Sequence, residues 1–391
     1  MAIPLQPEIL IAHPWMGRGG SEATAMWSMH ALQDRARVTF ATASPVDWAD
    51  LNATYGTRVS PEKIALLSAP RLPGVNSGTV VAFWQRAWFE RFCRTQGAKF
   101  DACVSAYNPI RFGQRAIQLI GDFSFDEKCR LALYPNATGQ AHHRPSIVRQ
   151  AYLSIGEHLA GRHDEPVFAP DDLVVANSQW TASRLREHFP LDRVPVLYPP
   201  SSPLGVENPA RDPLAFVAMS RITPEKEIET LFAILDRVRA AGRPVTLELL
   251  GGIGDDGYSR RIRRMVEERS EWVRTPGFLG PREKSDLFAS RSFGIHACRV
   301  EAFGIAVAEM AAAGLIPFVP AEGGTREIAG DESLVYDNVD DAVGKILAVL
   351  DQPGSHESLR RSLRDNVARF APEHFSVRLV EIVQDFLGQP I

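Results

Sequence analysis

"EILIAHPWMGRGGSEATAMWSMHALQ", residues 8–33, passes from a short apolar, β-branched run through a glycine-rich turn into a helical pattern. A strand that feeds a tight turn and then a helix is the first half of a βαβ unit, and repeated units of this kind build parallel sheets with helices on both faces. The same alternation continues along the chain. Further strand candidates are "RVTFATA" (37–43), "KIALLS" (63–68), "DACVSAY" (101–107), "AIQLIGD" (116–122) and "DLVVANS" (172–178). A second series follows with "LAFVAMS" (214–220), "VTLELLGG" (245–252), "SFGIHA" (292–297), "LIPFVP" (315–320) and "SLVYD" (333–337). Between the two series lies "LYPPSSPLGVENPARDP" (197–213), whose five prolines and lack of apolar pattern mark a linker. The expected architecture is therefore α/β, with two Rossmann-like doubly wound domains. Ligands in such sheets bind at the carboxyl ends of the strands, so a cleft between the two domains is the expected site.

Composition narrows the class of function. The chain has 391 residues, of which 45% are hydrophobic and 23% charged, as in a globular protein of two ordinary domains. A net charge of −4 disfavours nucleic acid as the main partner. Cys93, Cys103, Cys129 and Cys298 show neither C-x-x-C spacing nor a pairing pattern, which points to reduced thiols and a cytoplasmic location. The N-terminal "MAIPLQPEILIAHPW" does not read as a signal peptide. No apolar run approaches the roughly 20 residues of a membrane-spanning helix. The helical stretch 80–94, "VVAFWQRAWFERFCR", mixes aromatics with three arginines. That mixture suits either a core-facing helix or peripheral contact with a membrane surface.

Three stretches carry the chemistry. In the first, Gly17, Gly19 and Gly20 let the backbone approach a ligand closely, and Ser21 can cap the following helix, whose N-terminal amides favour an anion. The spacing is neither a Walker loop nor a complete dinucleotide fingerprint. In the second, "SRITPEKEIETLF" (220–232), Thr223 is an expected N-cap with Pro224 at the first helical position. Lys226 would then lie in the first turn, beside Arg221. Two cations at an already positive helix end make sense if a di-anion sits among them, and two solvated surface cations are the plainer alternative. In the third, "HACRVEAFGIAVAEMAAAG" (296–314), Glu301 and Glu309 stand eight apart in an otherwise apolar run. Burying a carboxylate without a partner is costly. A helix expected from about Gly304 would leave Glu301 in the loop and turn the amides of Phe303, Gly304 and Ile305 toward an anion. Carboxylates accept paired hydrogen bonds from vicinal hydroxyls, so a sugar or ribose is an apt partner, although Glu309 could face solvent and Glu301 could act as a cap.

In combination these stretches resemble the retaining GT-B glycosyltransferases of family 4. "EAFGIAVAE" is similar to the E-x7-E motif of that family, "RITPEK" to its Arg-x4-Lys diphosphate clamp, and "GRGGSE" to its N-terminal Gly-Gly loop. "LVVANSQWTASRL" and "GGTREI" resemble family segments before the linker and downstream of the motif. The resemblance implies a GT-B fold: an N-terminal acceptor domain (1–200), a C-terminal nucleotide-sugar domain (201–372) facing it across a cleft, and a final segment (373–391) crossing back to the first. It implies that Arg221 and Lys226 hold the donor diphosphate and Glu309 the ribose hydroxyls. Glu301 would meet the transferred sugar, Phe303 to Ile305 would offer amides nearby, and Gly19 and Gly20 would close on the phosphate. Transfer would proceed with retention and without a metal, and "GDDGYS" (254–259) reads as a turn entering a helix rather than a metal site.

A closer similarity is to the eukaryotic-type α-1,2-mannosyltransferases of lipid-linked oligosaccharide synthesis. It rests on "HPW", "VLYPP" and "GIHACRVEAFGI", where His296 replaces a more usual proline. That similarity implies GDP-mannose as donor and a glycan or lipid-linked acceptor, with UDP-sugar-dependent transfer as an alternative. One departure stands out. Many relatives carry a His after the fifth strand, whereas "IQLIGDFSFD" places Gly121 there with Asp122 beside it. Asp122 could support the acceptor hydroxyl or developing positive charge, or simply cap a turn. Without the His, a catalytically silent nucleotide-sugar-binding partner of a glycan assembly complex is the other reading.

Overall fold

The computed structural model describes residues 6–73, 81–133, 146–162, 165–201 and 211–391. Val80 and residues 202–210 of the expected linker lie outside the described residues. The chain divides into two compact units, one formed by Met1–Pro200 with Pro372–Ile391 and the other by Ser201–Ala371.

The first unit holds strands β1 (Glu8–Ala12), β2 (Arg37–Thr42), β3 (Ile64–Ser68), β4 (Ala102–Ser105), β5 (Ile117–Ile120) and β6 (Leu173–Ala176) in the order 3-2-1-4-5-6. The second holds β7 (Asp212–Met219), β8 (Thr246–Leu250), β9 (Val273–Gly277), β10 (Arg291–Ile295), β11 (Ile316–Pro320) and β12 (Val335–Tyr336) in the order 12-11-10-7-8-9. All pairings are parallel. In both sheets the third crossover reverses the direction of winding, which leaves a crevice between β1 and β4 and another between β7 and β10. Crevices of this kind receive ligands in doubly wound folds.

Strands covered on both faces read as continuous apolar runs, and β5 and β11 are buried throughout. Strand β9 was not anticipated. Its sequence, "VRTPG", lies at the edge of the sheet with three of five residues exposed, and an edge is where a strand tolerates proline. In the second sheet the rings of Phe216, Phe293 and Phe318 stack across three adjacent strands with centroids 5.0–6.2 Å apart.

The helix Gly20–Leu32 starts two residues earlier than a Ser21 cap would place it. Gly19 is its N-cap without a side-chain bond, and Ser21 lies inside the helix, donating from Oγ to Glu22 Oε2 at 2.9 Å. The helix Ala82–Gln96 turns its aromatics onto the helix Ile147–Ala160. Phe83 and Trp84 lie against the Tyr152 ring, and Trp84 Nε1 donates to the Tyr152 carbonyl at 2.9 Å. No helix among the described residues is long and apolar enough to cross a membrane.

The last helix, Pro372–Leu387, belongs to the first unit. Its Phe375, Leu379, Ile382, Val383 and Phe386 follow helical periodicity on one face and join a core with Met26, Met29 and Leu32. Arg115 locks the far end: it donates to the Phe386 carbonyl at 3.0 Å, and its guanidinium lies 4.5 Å from the centre of the Phe386 ring. Leu379 is fully buried, whereas Val377 is 61% exposed. Leu379→Ala is therefore expected to destabilise the first unit by about 2–5 kcal/mol, with Val377→Ala changing stability by less than about 0.5 kcal/mol, read from denaturant midpoints.

Candidate functional site

At the crevice of the second sheet, the chain leaves β7 through Ser220 and Arg221 and enters a single 3₁₀ turn, Pro224–Lys226. Glu227 then adopts a left-handed conformation (φ 49°), and the helix proper begins at Ile228. This corrects the expected helix start. Thr223 makes no side-chain cap, and Lys226 lies in a separate turn rather than in a helical first turn. The consequence is functional. Lys226 reaches the loop after β10, with Nζ 2.6 Å from Glu301 Oε2.

Glu301 is the focus of the site. The same Oε2 lies 3.2 Å from His296 Nε2, and the side chains of Lys226, Glu301 and His296 are only 14%, 19% and 5% exposed. Burial alone would raise the Glu301 pKa, but the Lys226 ammonium and a hydrogen bond from His296 outweigh it and hold the carboxyl far below the usual carboxylate range. Burial would likewise lower the Lys226 pKa, and Glu301 overturns that and raises it. His296 is fixed through its backbone: its N–H donates to the Phe318 carbonyl at 2.9 Å and its carbonyl accepts from Tyr336 Oη at 2.5 Å. Beside it, burial pushes the Cys298 thiol up to about 12, so it stays protonated. His296, Cys298 and Glu301 offer donor atoms within 4.8 Å of one another, the spacing of a ligand set, but the Lys226 ammonium already meets the carboxylate charge there.

The loop that carries Glu301 is held by backbone approach. Gly324 N–H donates to the Glu301 carbonyl at 2.7 Å, and a Cβ on Gly324 would lie 2.2 Å from the Ala302 carbonyl oxygen. "GGTREI" thus brings the chain after β11 hard against the loop after β10. Gly304 is the N-cap of the helix Ile305–Ala312 at φ 97°, a conformation that favours glycine. The first amides of such a helix have no partner within it, whereas the Val307 amide already donates to the Gly304 carbonyl at 2.9 Å. Phe303 is buried, its ring edge-on to Phe370 at 5.0 Å.

Not every expected residue converges. Glu309 stands on the helix with Lys284 Nζ 3.0 Å away, so both glutamates of the motif have a lysine partner. Arg221 is 75% exposed, 3.6 Å from Glu225, and near enough to Lys226 to oppose its charge. Sequence reasoning missed His296 as a partner of Glu301, Lys284 altogether, and Phe278. The last is 77% exposed at the end of β9 and packs over Gly252.

In the first unit, the expected residues again flank the crevice. The Gly19 amide donates to Tyr55 Oη at 2.9 Å, and that hydroxyl donates to the Gly17 carbonyl at 3.0 Å. Asp122 Oδ1 accepts from Asn108 Nδ2 at 2.9 Å and from the Ser124 amide at 2.8 Å. Asn108, itself left-handed at φ 53°, returns its Oδ1 to the amides of Gly121 and Asp122. The carboxylate is thus oriented as well as engaged in a turn. Nearby, burial holds His13 neutral, lowering its pKa to about 3, with the Tyr107 ring edge-on at 5.1 Å.

Residues 205–369 match the family model described as glycosyl transferases group 1, so the second unit is a group 1 glycosyltransferase domain. The fold of the chain is the GT-B fold of solved glycosyltransferase structures. It is similar to sucrose-phosphate synthase from Thermosynechococcus elongatus (TM-score 0.71, 17% identity, 98% of this chain and 100% of that one). It is also similar to HepE from Anabaena in complex with UDP and glucose (TM-score 0.67, 15% identity, 97% and 99%). Among curated relatives, a GDP-Man:Man(3)GlcNAc(2)-PP-Dol alpha-1,2-mannosyltransferase of Dictyostelium discoideum is 23% identical over 249 residues, 56% of this chain and 48% of that protein. The chain spans about half the length of the curated relatives it matches.

The Lys226–Glu301 pair has a measurable signature. Glu301, with its pKa depressed, contributes stability that is full above the unfolded carboxyl value near about 4.3 and fades as pH falls toward the folded value. Lys226, with its pKa raised, contributes fully below about 10.4 and loses that contribution as pH rises through the folded value. Glu301→Gln should leave a buried ammonium unpaired and cost about 3–5 kcal/mol, with Lys226→Met added to it recovering most of the loss in denaturant titrations.

Proposed function

We propose that the protein is a retaining, metal-independent glycosyltransferase that moves a hexose, best read as mannose from GDP-mannose, to a glycan or lipid-linked acceptor. The observation that carries this reading is the convergence of Lys226 and His296 on Glu301 at the crevice of a group 1 glycosyltransferase domain. Arg221, Lys226 and the amides from Phe303 to Ile305 would hold the donor diphosphate and take up charge as it leaves. Glu301 would meet the hydroxyls of the transferred sugar, Glu309 those of the ribose, and Phe278 would offer a ring face to the base. In the first unit Gly19 and Gly20 would offer backbone amides to a phosphate. Asp122, held by Asn108, would orient the acceptor hydroxyl, whose oxygen attacks the face from which the diphosphate departs. The Lys226 charge would do the work that a divalent cation does elsewhere, so that transfer would need no metal. The mannosyl donor is suggested by the relatives named for GDP-Man, and a lipid-linked acceptor would bring the protein to a membrane surface.

A UDP-sugar donor is the second reading, favoured by the likeness to HepE bound to UDP and glucose. A thermal-shift series with GDP-, UDP- and ADP-sugars separates the two: GDP-mannose should give the largest rise in melting temperature. Alanine at both Arg221 and Lys226 should lower kcat by about 10²-fold or more, and full activity in that variant would remove the clamp. Glu309→Gln should weaken donor binding, chelation with EDTA should leave the rate unchanged, and unaltered donor affinity in Glu309→Gln would undo its assignment.

A further inference from the structure

Lys226 has two tasks that compete for its single positive charge. In the ligand-free protein it is the close partner of Glu301, at 2.6 Å, in a position with little access to water. As part of the donor clamp its ammonium would be drawn to a diphosphate. Glu301 would then be left as a mostly buried carboxylate beside two further negative charges, a costly arrangement unless another cation replaces the lysine.

Among the described residues, the surroundings of Glu301 contain one group able to do so. His296 Nε2 lies 3.2 Å from the same oxygen that Lys226 holds, and its backbone is fixed to β11 and to Tyr336 of β12. The other titratable groups around it are accounted for. The Cys298 thiol and the Tyr336 phenol are both pushed up by burial and stay protonated and neutral. Arg299 is paired with Glu227 at 3.2 Å, and Arg221 is exposed, 3.6 Å from Glu225. Imidazole is the side chain whose ordinary titration falls near neutral pH.

We propose that donor binding moves Lys226 from Glu301 to the diphosphate and that His296 takes up one proton from solvent, becoming the imidazolium that keeps Glu301 ionised and oriented. This rests on the donor-site reading above. His296 acts through Glu301 and is therefore a positioning residue whose charge state is coupled to occupancy of the pocket. The exchange would keep Glu301 paired both in the empty pocket and in the loaded one.

The test is calorimetric titration of the intact protein with the nucleotide sugar that gives the largest thermal shift, in paired buffers of different ionisation enthalpy. A sugar diphosphate ester has no phosphate proton to exchange near neutrality, so proton uptake reports the protein. Wild type should take up close to one proton per donor. Its Kd should tighten as pH falls, by at most about tenfold per pH unit for one proton taken up. His296→Gln keeps an N–H donor at the position of Nε2 but cannot titrate. It should still bind the donor, with uptake abolished and Kd flat with pH. Absence of uptake in wild type, or equal uptake in His296→Gln, overturns the exchange, and the wild-type measurement stands even if the variant does not fold. Lys226→Ala separates the two claims. If that variant loses donor affinity while wild type shows no uptake, the donor site survives and the exchange falls. If its affinity is unchanged, or no nucleotide sugar binds wild type, the donor reading itself falls and the exchange with it.

Discussion

The ion pair between Lys226 and Glu301 is the constraint around which the second unit is arranged. Two charges with little solvent access are tolerable only when they are close and further supported. Each neighbouring feature supplies part of that support. The left-handed Glu227 separates the 3₁₀ turn from the following helix and lets Lys226 face the loop after β10. Gly323 and Gly324 admit the chain after β11 against Glu301 and Ala302. His296 closes on the same oxygen from the end of its strand. A pocket built to receive phosphates and hydroxyls must hold strong charges while it is empty, and pairing them with one another keeps it folded until a ligand arrives.

The location of this pair follows from topology. The strand order 12-11-10-7-8-9 makes β7 and β10 neighbours although some 70 residues separate them, so the turn with Lys226 and the loop with Glu301 leave the sheet side by side. The first unit uses the same plan. Its crevice lies between β1 and β4 and is flanked by the glycine turn, by His13 and Tyr107, and by Asn108 with Asp122. In both units, the residues read as chemical lie beyond the carboxyl ends of strands, where the fold leaves backbone groups unclaimed by sheet or helix core.

Much of this was legible in the sequence, for identifiable reasons. Strands buried on both faces, such as "IQLI" and "IPFVP", announce themselves as apolar runs. Strand β9 did not, because an exposed edge carrying Pro276 has the composition of a loop. The glycine at 304 gave the helix start at Ile305 correctly. Thr223 and Pro224 suggested a helix that instead forms a single turn, because a left-handed Glu227 is not encoded by any local preference. Glu301 and Glu309 stood out as acids in an apolar run. Lys226 stood out as a cation five residues after Arg221, but its pairing with Glu301 did not, and Lys284 did not stand out at all, since both lysines are brought to their glutamates by the sheet and no spacing along the chain reveals those pairs. His296 was visible only as a substitution, and its proximity to Glu301 appears once the loop is folded.

The most direct test of the account is a crystal structure of the protein with its nucleotide sugar bound. The diphosphate is expected against Lys226 and Arg221 at the start of the helix Ile305–Ala312, with Glu301 on the sugar hydroxyls and Glu309 on the ribose. A donor bound away from the crevice between β7 and β10, or a diphosphate that leaves Lys226 on Glu301 and touches neither cation, would contradict it.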